Sequence, residues 1–128
     1  MSTNLGSRLV PALLVRDMAE TLAFYRKLGF RRTGGEPREA ESDAELTWAE
    51  VRRDGITLQL HDEAPHGTPP EPVFSGTLYL FPESVEELAE ELRGEVGFAW
   101  GPEVMPYGMR EFAVQDPNGY YLAFTEPA

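Results

Sequence analysis

One pattern of local structure occurs twice along this chain, about 67 positions apart. In each copy, an apolar run typical of a strand precedes a helix with a capping box, and a Gly-Phe pair follows the helix. Aligning Asp17 with Ser84 brings Gly29-Phe30 onto Gly97-Phe98 with a slip of one residue. We therefore predict a duplicated module.

The first copy begins with the apolar segment Arg8–Val15, which is typical of a buried strand. Asp17, with Glu20 three residues later, predicts the start of a helix, and Gly29 predicts its end. The apolar stripe of this helix consists of Met18, Leu22, Phe24, Tyr25 and Leu28.

In the second copy, Gly76–Phe81 is the strand and Ser84 with Glu87 is the capping box. Gly97-Phe98 is predicted to end this helix. Its apolar stripe consists of Val85, Leu88, Ala89 and Leu92.

Two hairpins are predicted from their turn residues. An Asp-Gly turn at residues 53–55 joins Leu46–Arg52 to Ile56–His61, and an Asn-Gly turn at 116–119 joins Met109–Gln115 to Tyr120–Thr125. Each module is then a βαβββ unit.

The prolines at positions 65, 69, 70 and 72 predict a linker between the modules, because proline sustains neither a helix nor a central strand. We predict module one at 8–62, the linker at 63–75 and module two at 76–126, within one α+β domain over residues 1–128.

The formal net charge of −11 argues against nucleic acid as a partner, because phosphates would be repelled. The charge would steer a cationic ligand inward, although acidic surfaces also serve solubility. No apolar run approaches the ~18 residues of a membrane span, and the start lacks the pattern of an export signal. With no cysteine for disulfides, thiolate metal sites or nucleophiles, a cytoplasmic setting is expected.

Three stretches resemble the vicinal-oxygen-chelate superfamily, which includes glyoxalases, bleomycin-resistance proteins and extradiol dioxygenases. They are VPALLVRDMAETLAFYRKLGF, VRRDGITLQL and GPEVMPYGMREFAVQDPNGYYLAF, and the match runs from about Arg8 to Glu126. The bleomycin-resistance proteins are the most similar. The resemblance implies two βαβββ modules that form curved mixed sheets around a ligand cavity, often completed by a second chain, so a homodimer is expected.

The same resemblance predicts where a metal would lie, because the enzymes hold a divalent cation with ligands from the first, fourth, fifth and eighth strands. The matching positions are Val10, Gln59, Thr77 and Ala123. Valine and alanine cannot coordinate, and one amide oxygen does not hold such a cation. We therefore expect no metal and no other cofactor, with a rearranged site of His61, Gln59 and Glu111 as the alternative.

Eight residues are predicted to bind a ligand. Strand alternation turns Gln59, His61, Tyr79 and Tyr121 toward the cavity. In bleomycin-resistance proteins a tryptophan of a Pro-Trp-Gly turn stacks on the drug, and the matching residue is Tyr107. The complete set is Trp48, Gln59, His61, Tyr79, Trp100, Tyr107, Met109 and Tyr121.

The predicted function is metal-free sequestration of a bleomycin-like or other small aromatic compound, with no catalytic residue assigned. The acidic exterior would favour a cationic ligand, whereas an inward Arg110 in place of Glu111 would favour an anionic one. Two alternatives stay open. One is an enzyme, either a divergent glyoxalase- or dioxygenase-type enzyme with a rearranged metal site or a metal-free isomerase with His61 or Tyr121 as acid or base. The other is a regulatory or immunity role in a biosynthetic cluster.

Overall fold

The computed structural model describes residues 2–63 and 70–128, and it contains the βαβββ order twice. The helices are α1 (Met18–Lys27) and α2 (Val85–Leu92), and a short 3-10 helix covers Asp43–Glu45. The strands are β1 (Ala12–Leu14), β2 (Arg31–Glu36), β3 (Trp48–Arg53), β4 (Ile56–His61), β5 (Thr77–Leu80), β6 (Trp100–Val104), β7 (Met109–Gln115) and β8 (Tyr121–Pro127). No helix within the described residues is long and apolar enough to cross a membrane.

Each module forms one four-stranded mixed sheet. Sheet one has the order β1-β4-β3-β2, and sheet two has the equivalent order β5-β8-β7-β6. In both sheets the first strand is parallel to the last, and the other neighbours are antiparallel. The predicted α+β fold of two βαβββ modules is confirmed.

Both helices begin at the predicted residues. The Asp17 carboxylate accepts the Glu20 backbone N–H at 2.9 Å, and the Ser84 hydroxyl accepts that of Glu87 at 3.1 Å. These side chains satisfy N–H groups that have no partner inside the helix.

Two predicted boundaries are wrong. Helix α2 ends at Leu92 rather than at Gly97-Phe98, because Gly94 takes a left-handed conformation with φ of +87° and turns the chain early. Strand β1 begins at Ala12 rather than Arg8, and the preceding Pro11 has no N–H to extend the ladder. Of the predicted linker, residues 64–69 lie outside the described residues, and 70–75 form no helix or strand.

One apolar core is shared by the two modules. It lies where the helices cover the sheets, and it includes Leu22 of α1, Ala89 of α2 and Leu60 of sheet one. The rings of Phe112 and Phe124 stack in sheet two with centroids 4.9 Å apart. Tyr25, Phe30 and Phe124 are buried in this core and Phe24 is half-buried.

The turn between β7 and β8 is buried against module one. Asn118 accepts the Arg16 backbone N–H at 2.8 Å, and its amide donates to the Thr21 hydroxyl at 3.0 Å. The Tyr25 hydroxyl donates to the Asp116 carboxylate at 2.9 Å. Because Asp116 and Asn118 are both only 4% exposed, this turn joins the two modules through satisfied, water-excluded hydrogen bonds.

The Asp116 carboxylate is also central to the turn itself. Its Oδ1 accepts the backbone N–H groups of Asn118 at 2.8 Å and Tyr120 at 3.0 Å. Burial raises the pKa of Asp116 above its ordinary value, although these hydrogen bonds oppose the rise. Burial, followed by the nearby Asp116 charge, raises the pKa of Tyr25 well above its ordinary value, so Tyr25 remains a hydroxyl donor.

We predict that Tyr25→Phe lowers the free energy of unfolding by about 1–3 kcal/mol near neutral pH, because the buried carboxylate loses a donor. The lost bond normally lowers the pKa of Asp116, so that pKa rises further in the variant. A raised folded-state pKa means that the folded protein binds this proton more tightly, and the stability falls as the pH rises through that pKa. The deficit of the variant should therefore shrink as the pH falls below it. Urea unfolding at several pH values measures this.

Tyr120→Phe is the matched control, because its hydroxyl donates to the neutral Leu14 carbonyl oxygen at 2.6 Å. We expect a stability loss that does not vary across the same pH range. If the stability loss of Tyr25→Phe were as independent of pH as that of the control, the role assigned to Asp116 would be contradicted.

Candidate ligand-binding site

Sheet two has one face turned away from helix α2, and we call it the aromatic face. Phe112 and Phe124 point into the core, so strand alternation places Glu111, Ala113 and Ala123 on the opposite side. The aromatic face consists of Thr77, Tyr79, Trp100, Met109, Glu111, Ala113, Tyr121, Ala123 and Thr125.

One row of residues across this face has small side chains in the middle and aromatic side chains at both ends. In register order it consists of Tyr79, Ala123, Ala113 and Trp100. The ring of Tyr121 lies beside Trp100, with centroids 5.5 Å apart and planes tilted by 41°. Ala113 and Ala123 are both fully buried, so neighbouring side chains cover them and the aromatic rings form the accessible part of the row.

Glu111 organises the aromatic side chains from below. The Trp100 indole N–H donates to its Oε2 at 2.8 Å, and the Tyr107 hydroxyl donates to its Oε1 at 2.7 Å. The Glu111 side chain is fully buried. One carboxylate therefore holds an aromatic ring of β6 and another from the loop before β7 in fixed positions.

The direction of Arg110 and Glu111, left open by the sequence, is settled here. Glu111 lies on the aromatic face, whereas the Arg110 guanidinium lies 3.6 Å from Glu86 of helix α2. Arg110 therefore points to the helix side of sheet two and not to the aromatic face.

Tyr107 covers Glu111 from the solvent side. Its side chain is 56% exposed, and Gly108 follows it with a φ of +84°. The hydrogen bond to Glu111 raises the pKa of Tyr107 well above its ordinary value, with further contributions from desolvation and Tyr79. Tyr107 therefore remains a protonated donor over the physiological range.

Thr125, also on the aromatic face, is not among the eight predicted site residues. It lies directly opposite Glu111 in the β7–β8 register and is 2% exposed. Its hydroxyl has no hydrogen-bond partner among the described residues. Buried hydroxyls are usually paired, so this oxygen is exceptional.

The three predicted residues of sheet one share one face of that sheet. Trp48 is opposite His61, and Gln59 is opposite Glu50. The His61 Nδ1 lies 2.8 Å from the Glu63 carbonyl oxygen. In the described part of the chain, no hydrogen bond or ring contact joins this group to Tyr79, Trp100, Tyr107, Met109 and Tyr121 of sheet two.

The residues present do not fit the divalent cation that the resemblance implies. Val10 and Ala123 carry no donor atom, and Thr77 lies opposite Tyr121 with only a hydroxyl to offer. Across residues 2–63 and 70–128, no three His, Asp or Glu side chains are close enough to share a metal. Glu111, needed for the rearranged alternative, is bonded to Trp100 and Tyr107.

A cleft of about 560 Å³ lies at the junction of the modules, on the helix side. Arg53 is part of its wall and donates to the Leu28 carbonyl and to Glu91 of α2, at 2.7 Å in each case. None of the eight predicted site residues lines this cleft. A smaller cavity of about 220 Å³ contacts Tyr79 together with Pro11 and Thr57.

Several solved structures have this fold. TioX from Micromonospora sp. ML1 is 19% identical with a TM-score of 0.71, and the match covers 96% of this chain and 100% of TioX. A bleomycin-binding protein complexed with bleomycin is 19% identical with a TM-score of 0.68 over 96% and 100% of the two chains. TnmS3, an antibiotic binding protein from Streptomyces sp. CB03234, is 23% identical with a TM-score of 0.69 over 98% and 100%.

At these identities the structures establish the fold and leave the ligand undetermined. No curated protein sequence matches the chain. The family model described as Glyoxalase/Bleomycin resistance protein/Dioxygenase superfamily matches residues 8–124. The chain therefore belongs to the glyoxalase/bleomycin resistance protein/dioxygenase superfamily.

Proposed function

We propose that this protein binds and sequesters a flat aromatic compound, as a resistance-type binding protein does, and that the aromatic face is its main binding surface. The observation that carries the proposal is the pair of rings, Trp100 and Tyr107, held by the buried Glu111. Bleomycin-binding and antibiotic-binding proteins among the structures of the same fold support a binding role.

The geometry favours binding of a planar ring system. Aromatic side chains offer large apolar surfaces that stack on other rings, and Trp100, Tyr121 and Tyr79 lie on one face of the sheet, beside fully buried alanines. Because Glu111 already orients the Trp100 ring, that side chain would lose little freedom on binding. We place Met109, on the same face, among the ligand contacts.

We further propose a homodimer, as expected from the family, with Trp48, Gln59 and His61 of sheet one contributing to a cavity near the chain interface. Exposed apolar side chains support it: Phe81 is 72% exposed and Leu9 is 83% exposed. Apolar surface of this kind is commonly covered by a partner. The absence of cysteine fits the cytoplasm, where we place the protein.

The proposed dimer predicts that Phe81→Asp shifts the protein toward monomer, because a charge would be buried at the interface. Sedimentation equilibrium over a range of concentrations measures this. Val104→Asp is the control. Val104 is also exposed, at 56%, but lies at the end of β6, so this variant should not shift the protein toward monomer. Wild-type protein that stays monomeric at every concentration would refute the dimer.

Titration with metal-free bleomycin tests the proposed function, followed by tryptophan fluorescence and by heat. We expect saturable binding, weakened about tenfold or more by Tyr107→Ala, because a stacking ring is lost. Tyr107→Phe keeps the ring and should retain most of the affinity.

The protein has two tryptophans, Trp48 in sheet one and Trp100 in sheet two, so their single variants show which sheet gives the fluorescence change. If the aromatic face is the main surface, Trp100→Phe removes most of the fluorescence change, whereas Trp48→Phe retains most of it. Absence of binding would rule out bleomycin as a ligand, and binding unaffected by Tyr107→Ala would place the site elsewhere.

A further inference from the structure

Glu111 is a fully buried carboxylate without a positive partner. Its two hydrogen-bond donors, Trp100 and Tyr107, are neutral groups. The adjacent Arg110 points to Glu86, and the residue opposite Glu111 on β6 is a second acid, Glu103. No salt bridge among the described residues includes Glu111, although buried charges are normally paired.

The same carboxylate has hydrogen-bonding capacity to spare. An ionised carboxylate offers about four lone-pair positions, and Trp100 and Tyr107 occupy one on each oxygen. The Thr125 hydroxyl, opposite Glu111 in the register, is buried and has no partner in the described chain. Two adjacent polar groups on the aromatic face are therefore incompletely satisfied.

We infer that Glu111 and Thr125 form a polar anchor that takes the cationic, hydrogen-bond-donating group of an aromatic ligand, such as an ammonium or an amidinium. This inference rests on the proposed function and names the ligand class. Such a group supplies both the positive charge and the N–H donors that the protein does not provide. The ring of Trp100, which donates to Glu111, lies beside the anchor and would add attraction to a cation.

A ligand can reach the anchor only if it replaces one of the hydrogen bonds that Glu111 already accepts. The Tyr107 hydroxyl occupies Glu111 Oε1 from the exposed side, next to Gly108. A ligand N–H replaces this hydroxyl on Oε1, and the Tyr107 ring turns outward to stack on the ligand. Because an N–H from a cation binds a carboxylate more strongly than a neutral hydroxyl does, the exchange favours cationic ligands over neutral ones.

Two matched probes test charge preference near neutral pH: 4-amino-2-methylquinoline, which is protonated, and 2,4-dimethylquinoline, which is neutral and of about the same shape. We expect wild-type protein to bind the cation about tenfold or more tightly. In Glu111→Gln the preference should disappear, because the cationic probe loses more affinity than the neutral probe does.

Equal weakening of both probes by Glu111→Gln would overturn the anchor and show that Glu111 only orients the rings. Binding of both probes by wild-type protein without a preference would also overturn the anchor, leaving the proposed function in place. Binding of neither probe would overturn both.

Thr125→Val provides a test that does not depend on the folding of a Glu111 variant. The methyl group replaces a buried, unpaired hydroxyl, so the melting temperature should stay the same or rise by about 3 °C. Affinity for the cationic probe should fall about threefold or more, with the neutral probe unchanged. Thr125→Ser, which retains a hydroxyl, is the control and should keep the preference. A destabilised Thr125→Val variant with unchanged cation preference would show that the hydroxyl serves the fold and would overturn its role in the anchor.

Discussion

The hydrogen bond from Tyr25 to Asp116 joins module one to the turn between β7 and β8. The position of the aromatic face relative to module one depends on this bond. A polar turn is usually exposed, but here Asp116 and Asn118 are buried with their partners already in place. Because the β7–β8 hairpin starts from this turn, fixing the turn on helix α1 also fixes both central strands of sheet two.

Because side chains alternate along a strand, β7 contributes residues both to the core and to the aromatic face. Phe112 and Val114 pack into the core, whereas Glu111 and Ala113 face the other way. The apolar side supplies stability, so the opposite side can retain a buried acid and an unpaired hydroxyl that the fold does not need. This division is consistent with a site that is completed by its ligand.

Local signals in the sequence predicted most of the fold. Capping residues and turn dipeptides act over a few positions, so both helix starts and both hairpins were found. The phase of β7 was not predictable, because Met109 to Gln115 has no regular alternation of polar and apolar residues. Alternation also gives the face of each site residue but not the distance between sheets, so it could not show that Trp48 and Trp100 lie in separate groups.

Ala123 connects the absence of metal ligands to the proposed binding function. At the position where an enzyme of the family carries its last metal ligand, this chain has a fully buried alanine between Tyr79 and Ala113. A carboxylate at this position would add a second buried acid beneath the aromatic rings. The buried acid of this face is instead Glu111, in the neighbouring row opposite Thr125. The small residue at this position and the acid displaced to the next row are consistent with the proposed binding of an aromatic cation.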